Sequence, residues 1–405
     1  MMVKSMILKM AGKFFMSRPA LSMRISNFTR GRTLLNLNLN AVDKCQKRAL
    51  LSYLDVGNIK LDNIGHANFY QAVQMTHALI KSDFCIDVCY CNDPLAFEFI
   101  KNEKYDVIIG LGDVYKKACE HCSKEDTVKI LFVTENFPLV VEKKFAERIE
   151  YFKSRHPKIS FKSSSVRSGY YDEEIFKMSN YAIAMTSSFN IEPMKAYVRK
   201  TYQINANVLK NTAYKFVKSE RLPSIKSSRN RFLWFGSLGL IHKGVDILLD
   251  AFKELPDLSL EFYGLYANEK KLFNKLKPVN ANDCGCVNVQ KDEFIDKVVK
   301  RHCFMLLASC SEGMSTAVAT CMLHGIIPVV TKESGFEPCD CIIELPDFKV
   351  ETVKNAVLKL CEMSDEEVLN LSEKTYNYAM ANFSLEHFDV SFNSTLKEIL
   401  AYSSL

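Results

Sequence analysis

The sequence predicts an α/β protein of two doubly wound domains, each built on a mostly parallel sheet. Three observations predict it. The chain has 405 residues, more than one hydrophobic core ordinarily serves. Short apolar runs alternate with amphipathic helical stretches in two separate series, the pattern of parallel βαβ units. Between the series, residues 215–230 break the rhythm with basic residues, serines and Pro223. The expected division is a basic leader at 1–45, a first domain at 46–214, a linker at 215–230, a second domain at 231–385 and a C-terminal helix at 386–405.

In the first series, ALLSYL (49–54) is the first strand. A helix is expected over Asn68 to Lys81, because Phe69, Ala72, Val73, Met75, Ala78 and Leu79 recur at helical spacing. IDVCYC (86–91), YDVIIGLG (105–112) and VKILFVT (128–134) follow as strands, then a charged amphipathic helix from Val140 to Arg155. YAIAMTS (181–187) and ANVLKN (206–211) are the last expected strands of this half.

The second series opens on RFLWFGS (231–237), with a helix from Val245. LSLEFYG (258–264), CVNVQ (286–290), CFMLLAS (303–309), IIPVVT (326–331) and CIIEL (341–345) are its further strands, with helices ending at Leu276 and starting at Glu293. The tail from Val350 to Leu400 reads as helix. Two such halves place a ligand in the cleft between them, at the carboxyl ends of their strands.

Charge excludes one class of partner. Residues 1–50 hold ten basic side chains against Asp43 alone, so the rest of the +6 chain is slightly acidic. No folded face is basic enough for nucleic acid. Met1 to Met16 interleaves three lysines with apolar residues; an amphipathic helix on an anionic membrane and a plain basic tail are both compatible with it. No apolar run is long enough to span a bilayer and no secretory h-region stands at the N-terminus. The expected location is cytoplasmic, peripheral on the inner face of the cell membrane if the leader binds lipid. The fourteen cysteines read as free thiols in a reducing compartment. Cys119, His121 and Cys122 form the one metal-like cluster, without a second half at zinc spacing, so no metal is expected.

The chemistry concentrates in Phe304 to Val330, FMLLASCSEGMSTAVATCMLHGIIPVV. A buried strand runs into a turn at Ser309 to Gly313, and a helix starts at Ser315 and Thr316. Unpaired N–H groups at a helix start suit phosphate. Glu312 repels phosphate, so its role is to accept hydrogen bonds from hydroxyls beside it. Earlier, WFGSLGLIHKGVDILLDAF (234–252) takes a strand into a loop with Gly236 and Gly239, then Lys243 and Gly244 before a helix. Lys243 supplies a point charge for a diphosphate. The alternative for each is an ordinary strand-turn-helix unit with a solvated turn carboxylate and lysine.

Together, G-x-L-x-x-x-x-K-G after a strand, S-E-G-M-S-T before a helix and G-x-x-P-V-V resemble the nucleotide-sugar domain of GT-B glycosyltransferases, and glycosyltransferase family 4 with its bacterial polysaccharide relatives in particular. The match covers about residues 231–335; the first domain matches more loosely. The resemblance implies a GT-B fold of two Rossmann-like domains facing across a cleft, with the last helix returning to the first domain. It implies transfer of a sugar from a UDP- or GDP-sugar to a glycan or lipid-linked acceptor, with retention, without a metal or tightly bound cofactor, in surface polysaccharide biosynthesis. By resemblance Lys243, with the Gly236–Ser237 loop, contacts the diphosphate. Glu312 contacts the donor sugar, and the backbone of Gly313, Met314, Ser315 and Thr316 holds the phosphates. His66 in IGHANFYQ matches a histidine-x-asparagine loop and orients acceptor or phosphate. Asn68 contacts the acceptor or caps the helix. Glu135 in TENFP is a general base or acceptor ligand.

Two positions depart from the family pattern. Ser237 stands where an arginine is usual, and Thr320 where a second glutamate binds ribose. These departures put donor identity in doubt, and they motivate a second reading: a catalytically impaired GT-B scaffold that binds a glycan or partner protein. A Rossmann oxidoreductase would need G-x-G-x-x-G, and IIGLGDVY has only Gly110 and Gly112.

Overall fold

The computed structural model describes residues 35–39, 47–54, 56, 67–93, 96–160 and 170–403. His66 and the 1–16 segment therefore lie outside the described residues.

Two sheets organise the chain. The first contains β1 (Leu35–Leu39), β2 (Lys47–Tyr53), β3 (Phe84–Tyr90), β4 (Tyr105–Gly110), β5 (Ser123–Val133), β6 (Tyr181–Met185) and β7 (Lys200–Ile204). Their order is β1-β3-β2-β4-β5-β6-β7, all parallel except β1, which pairs antiparallel with β3. The second contains β8 (Arg231–Phe235), β9 (Ser259–Tyr263), β10 (Ala281–Asp283), β11 (Phe304–Leu307), β12 (Ile327–Thr331) and β13 (Ile343–Leu345). It is fully parallel, in the order β10-β9-β8-β11-β12-β13. Central strands such as β6, β11 and β12 are buried along their whole length, as helices on both faces of a parallel sheet require.

The helices that bear on the site are α1 (Ala67–Ile80), α2 (Pro138–Arg155), α3 (Lys218–Ser228), α4 (Val245–Lys253), α5 (Thr316–Met322), α6 (Asp365–Asn382) and α7 (Leu385–Tyr402). The last of these lies against the first half. Tyr70 of α1 donates its hydroxyl to Asp389 at 2.7 Å, Lys200 pairs with Glu398 at 2.7 Å, and Phe392 packs edge-on against Phe132.

Two expected strands are corrected, and two further segments gain structure. ANVLKN is not a strand; the last strand of the first sheet is KTYQI, six residues earlier. Residues 206–211 are largely buried because they cross between the sheets: Val208 N donates to Phe383 O and Asn211 N to the His324 ring. CVNVQ is likewise a loop after the three-residue strand β10. Within the expected linker at 215–230, Lys218–Ser228 is a helix, with Pro223 inside it. Buried Arg221 holds that helix to the second sheet's side by donating to Val299 O, His302 O and Gly325 O. Finally, residues 35–39 of the basic leader are an edge strand.

Candidate functional site

The second sheet's order reverses between β8 and β11, and the first sheet's between β2 and β4. In open α/β sheets the loops leaving such a pair part to opposite faces and leave a crevice at the strands' carboxyl ends. Here both crevices open on one cavity of about 650 Å³. Leu54 and Leu111 line it from the ends of β2 and β4; Gly236, Ser237 and Glu312 line it from the ends of β8 and β11.

On the second-sheet wall, the loop after β8 folds back on itself. Lys243 N donates to Gly239 O at 2.7 Å, and Gly239 N and Leu240 N both donate to Glu269 Oε1, at 3.0 and 2.8 Å. Gly244 then starts α4 with φ of 73°, where a Cβ would also collide with Ala308 O. This closed turn delivers Lys243 to the cavity, where its ammonium pairs with Glu312 Oε1. Ser309 Oγ donates to the same carboxylate oxygen at 3.1 Å.

The turn after β11 is pinned from behind. Glu312 N donates to Glu333 O at 2.8 Å and Ser315 N to Ser334 O at 3.1 Å. Of the Gly313–Thr316 backbone, the Ser315 N–H is therefore already paired. In the first turn of α5, Thr316 and Ala317 have N–H groups the helix itself cannot pair. Buried His242 donates to Ser311 O and lies 3.6 Å from the Cys310 thiol. Burial holds its pKa down to about 4 and pushes the Cys310 thiol up to about 11, so both are neutral supports under the turn.

The first-sheet wall meets this turn directly. Gly313 sits so close to Thr134 O and Glu135 N that any Cβ would collide with them. Gly313 O accepts from Thr186 Oγ1 at 2.7 Å, and Asn190 Nδ2 donates to Glu312 O at 3.0 Å. Glu135 and Glu312 thus come from loops in contact. Tyr171 steadies the Glu135 loop, accepting from Thr134 N at 3.0 Å and donating to Phe132 O at 2.9 Å. Asn68 lines the cavity from within the first turn of α1; that helix already includes Ala67, so Asn68 is not its cap.

The structure thus gathers Asn68, Glu135, Gly236, Ser237, Lys243, Glu312, Met314, Ser315, Thr316 and Thr320 around one cavity. Thr320 Oγ1 donates its proton to Thr316 O at 2.7 Å, so toward a ligand it can only accept. Sequence reading missed Tyr90, Tyr170, buried Gln71 and the Val287–Gln290 loop, all of which line the cavity. Only the last had a local signal, and it was taken for a strand. Also missed was buried Arg148 of α2, which donates to Ala308 O from the opposite half and stacks 4.3 Å from the Phe348 ring. Among the described residues no group of three His, Cys, Asp or Glu side chains could hold a metal ion, and Cys119 and Cys122 are buried in the first core.

This pair of facing sheets defines the GT-B class of fold, and the chain has it. HepE from Anabaena, solved with UDP and glucose, superposes with a TM-score of 0.57 at 12% identity, over 87% of this chain and 99% of HepE. Sucrose-phosphate synthase from Thermosynechococcus elongatus gives 0.60 at 12%, over 88% of this chain and 100% of that one. TarM gives 0.53 at 12%, over 75% of this chain and 57% of TarM. These likenesses are of fold. No family model and no curated protein matches the sequence.

Proposed function

We propose that the protein is a glycosyltransferase that moves a sugar from a UDP- or GDP-sugar to a saccharide-type or lipid-linked acceptor, with first and second domains divided near residues 215–230. The observation that carries this is the shared cavity: Lys243, Glu312 and the start of α5 on one wall, Glu135 on the other. The diphosphate is the leaving group, and Lys243 with the first-turn N–H groups of α5 meets the charge that develops on it. Glu312 reads sugar hydroxyls once Lys243 turns to phosphate, and Glu135 faces the acceptor. Retention and a place in surface polysaccharide synthesis belong to the same reading and rest on the motif resemblance. HepE, whose structure holds UDP and glucose, supports the donor class.

Two observations favour the scaffold reading: the Thr320 hydroxyl is engaged with the helix backbone, and Ser237 supplies no cation. Calorimetric titration of UDP and GDP, followed by a donor-hydrolysis assay over a panel of UDP- and GDP-sugars, decides. Binding with slow hydrolysis is expected. Binding without hydrolysis or transfer to any acceptor supports the scaffold, and absence of nucleotide binding removes the transferase reading.

A further inference from the structure

We infer that Cys339 and Cys341 are a redox-active dithiol, a modification site that hydrogen peroxide converts into a disulfide with an effect on the nucleotide site. That effect rests on the glycosyl-transfer reading above; the disulfide does not. Both residues are free thiols, two positions apart in the connection from β12 to β13. Ile342 N donates to Cys339 O at 3.3 Å, so Cys339 to Ile342 closes as a turn around Asp340 and Cys341. Two residues span at most about 7 Å of chain, and a disulfide takes Cα atoms ~4.4–6.8 Å apart. Within this turn the two thiols meet.

Their roles divide by exposure. Cys339 is half-buried and reaches solvent, whereas Cys341 is buried. Hydrogen bonding from the Cys341 thiol holds the Cys339 thiol below its ordinary range; the backbone N–H groups of Cys341 and Ile342 add to this, and burial opposes it. Cys341 is pushed up in return. Cys339 is therefore the attacking thiolate. Its sulfur takes one peroxide oxygen, the O–O bond breaks, and the hydroxide released is protonated to water, leaving a sulfenic acid. Cys341 Sγ then attacks that sulfur. The S–O bond breaks and hydroxide leaves as a second water with the Cys341 proton. Two thiols are oxidised and one peroxide is reduced. Burial of Cys341 does not hinder this step, because its target is its neighbour in the turn.

The pair ends the segment braced behind the site. Glu333 O and Ser334 O accept from Glu312 N and Ser315 N, and Gly335 lies so close to Gly313 O that a Cβ would collide with it. Glu337 accepts from Gln203 Nε2 at 2.7 Å and from Ser188 Oγ at 3.0 Å, both of the first half. On the other side, Cys341 O accepts from Thr375 Oγ1 of α6 at 3.1 Å. Drawing Cys339 toward an anchored Cys341 thus pulls on a segment that holds the Glu312 turn.

The test uses the full reduced chain, treated with hydrogen peroxide and then alkylated, with peptide mass spectrometry as the readout. Loss of two hydrogens from the peptide spanning Cys339 and Cys341, reversed by a dithiol reductant, is expected. Cys341→Ser should instead leave Cys339 as a sulfenic acid that dimedone traps. Calorimetry with UDP and GDP should show affinity weakened roughly fivefold or more by oxidation and restored by the reductant, with Cys339→Ser insensitive. Exposed Cys284, Cys286 and Cys361 are the internal comparison. Oxidation confined to those three, with Cys339 still alkylated in the wild type, overturns the inference. A disulfide that leaves nucleotide affinity unaltered overturns its link to the site. Failure of the reduced protein to bind either nucleotide overturns the transfer reading, and the mass measurement still decides the disulfide.

Discussion

Lys243 and Glu312 hold each other on one wall of the cavity, so a diphosphate must compete with a carboxylate for its cation. Lys243→Ala is expected to weaken UDP or GDP binding roughly tenfold or more, since a charge-assisted hydrogen bond contributes about 1.5–3 kcal/mol. Turnover should fall further, because leaving-group charge grows in the transition state. Calorimetry on mutant and wild type checks this, and equal affinities would place the phosphates away from Lys243. Glu312→Gln should do the opposite to binding. It releases Lys243, so UDP affinity should hold or rise while sugar transfer nearly disappears; parallel loss of both would assign Glu312 to phosphate. These two residues were legible in the sequence because their signals are local: a glycine-rich loop before one, a turn and helix start after the other. Gln71 and Arg148 were not legible, because each acquires its meaning from a partner more than a hundred residues away, Asn207 and Ala308.

At the scale of elements, the turn from Gly239 to Lys243 depends on a side chain from another connection. Glu269→Ala would leave Gly239 N and Leu240 N without their acceptor, and nucleotide affinity is expected to drop about tenfold. Glu269→Gln keeps an acceptor oxygen and should retain most of the affinity; loss equal to alanine would show that charge, and not aim, is what matters there. The crossing segment has a similar dependence on His324. Its Nδ1–H donates to Thr320 O at 2.8 Å, its Nε2 accepts from Asn211 N, and burial lowers its pKa to about 4. His242 is lowered to the same value. Below about pH 6.5 the unfolded chain takes up protons at both histidines while the fold resists until near pH 4, so stability falls as pH falls. At pH 5 the loss is about 2 kcal/mol per histidine. A urea midpoint unchanged between pH 7 and pH 5 would contradict it. Element type was read well wherever apolar runs were long and buried. It failed at 206–211, where burial comes from crossing between the halves, and at 286–290, a partly exposed loop whose alternating residues read like a strand.

At the scale of the molecule, α2 reaches from the first half into the second. Arg155 pairs with Asp246 and Asp250, Lys144 with Glu333 at 3.2 Å, and Tyr151 packs against Phe348. Ser188 and Gln203 both donate to Glu337. At the first sheet's other end, β1 covers the open edge of β3. Removing residues 1–34 should leave a well-behaved protein, whereas removing residues 1–40 strips that cover and should cause self-association, since a bare edge strand templates pairing. Light scattering on both truncations tests this; identical monomers would show β1 to be dispensable. The leader's proposed contact with anionic vesicles is scored in the same preparations. The packing of Gly313 on Thr134 carries one more consequence. The loops bearing Glu312 and Glu135 have no slack between them, so a displacement on one side is felt on the other. Binding on the two sides is then linked, and linkage is reciprocal: whatever factor an acceptor adds to donor affinity, the donor adds to acceptor affinity.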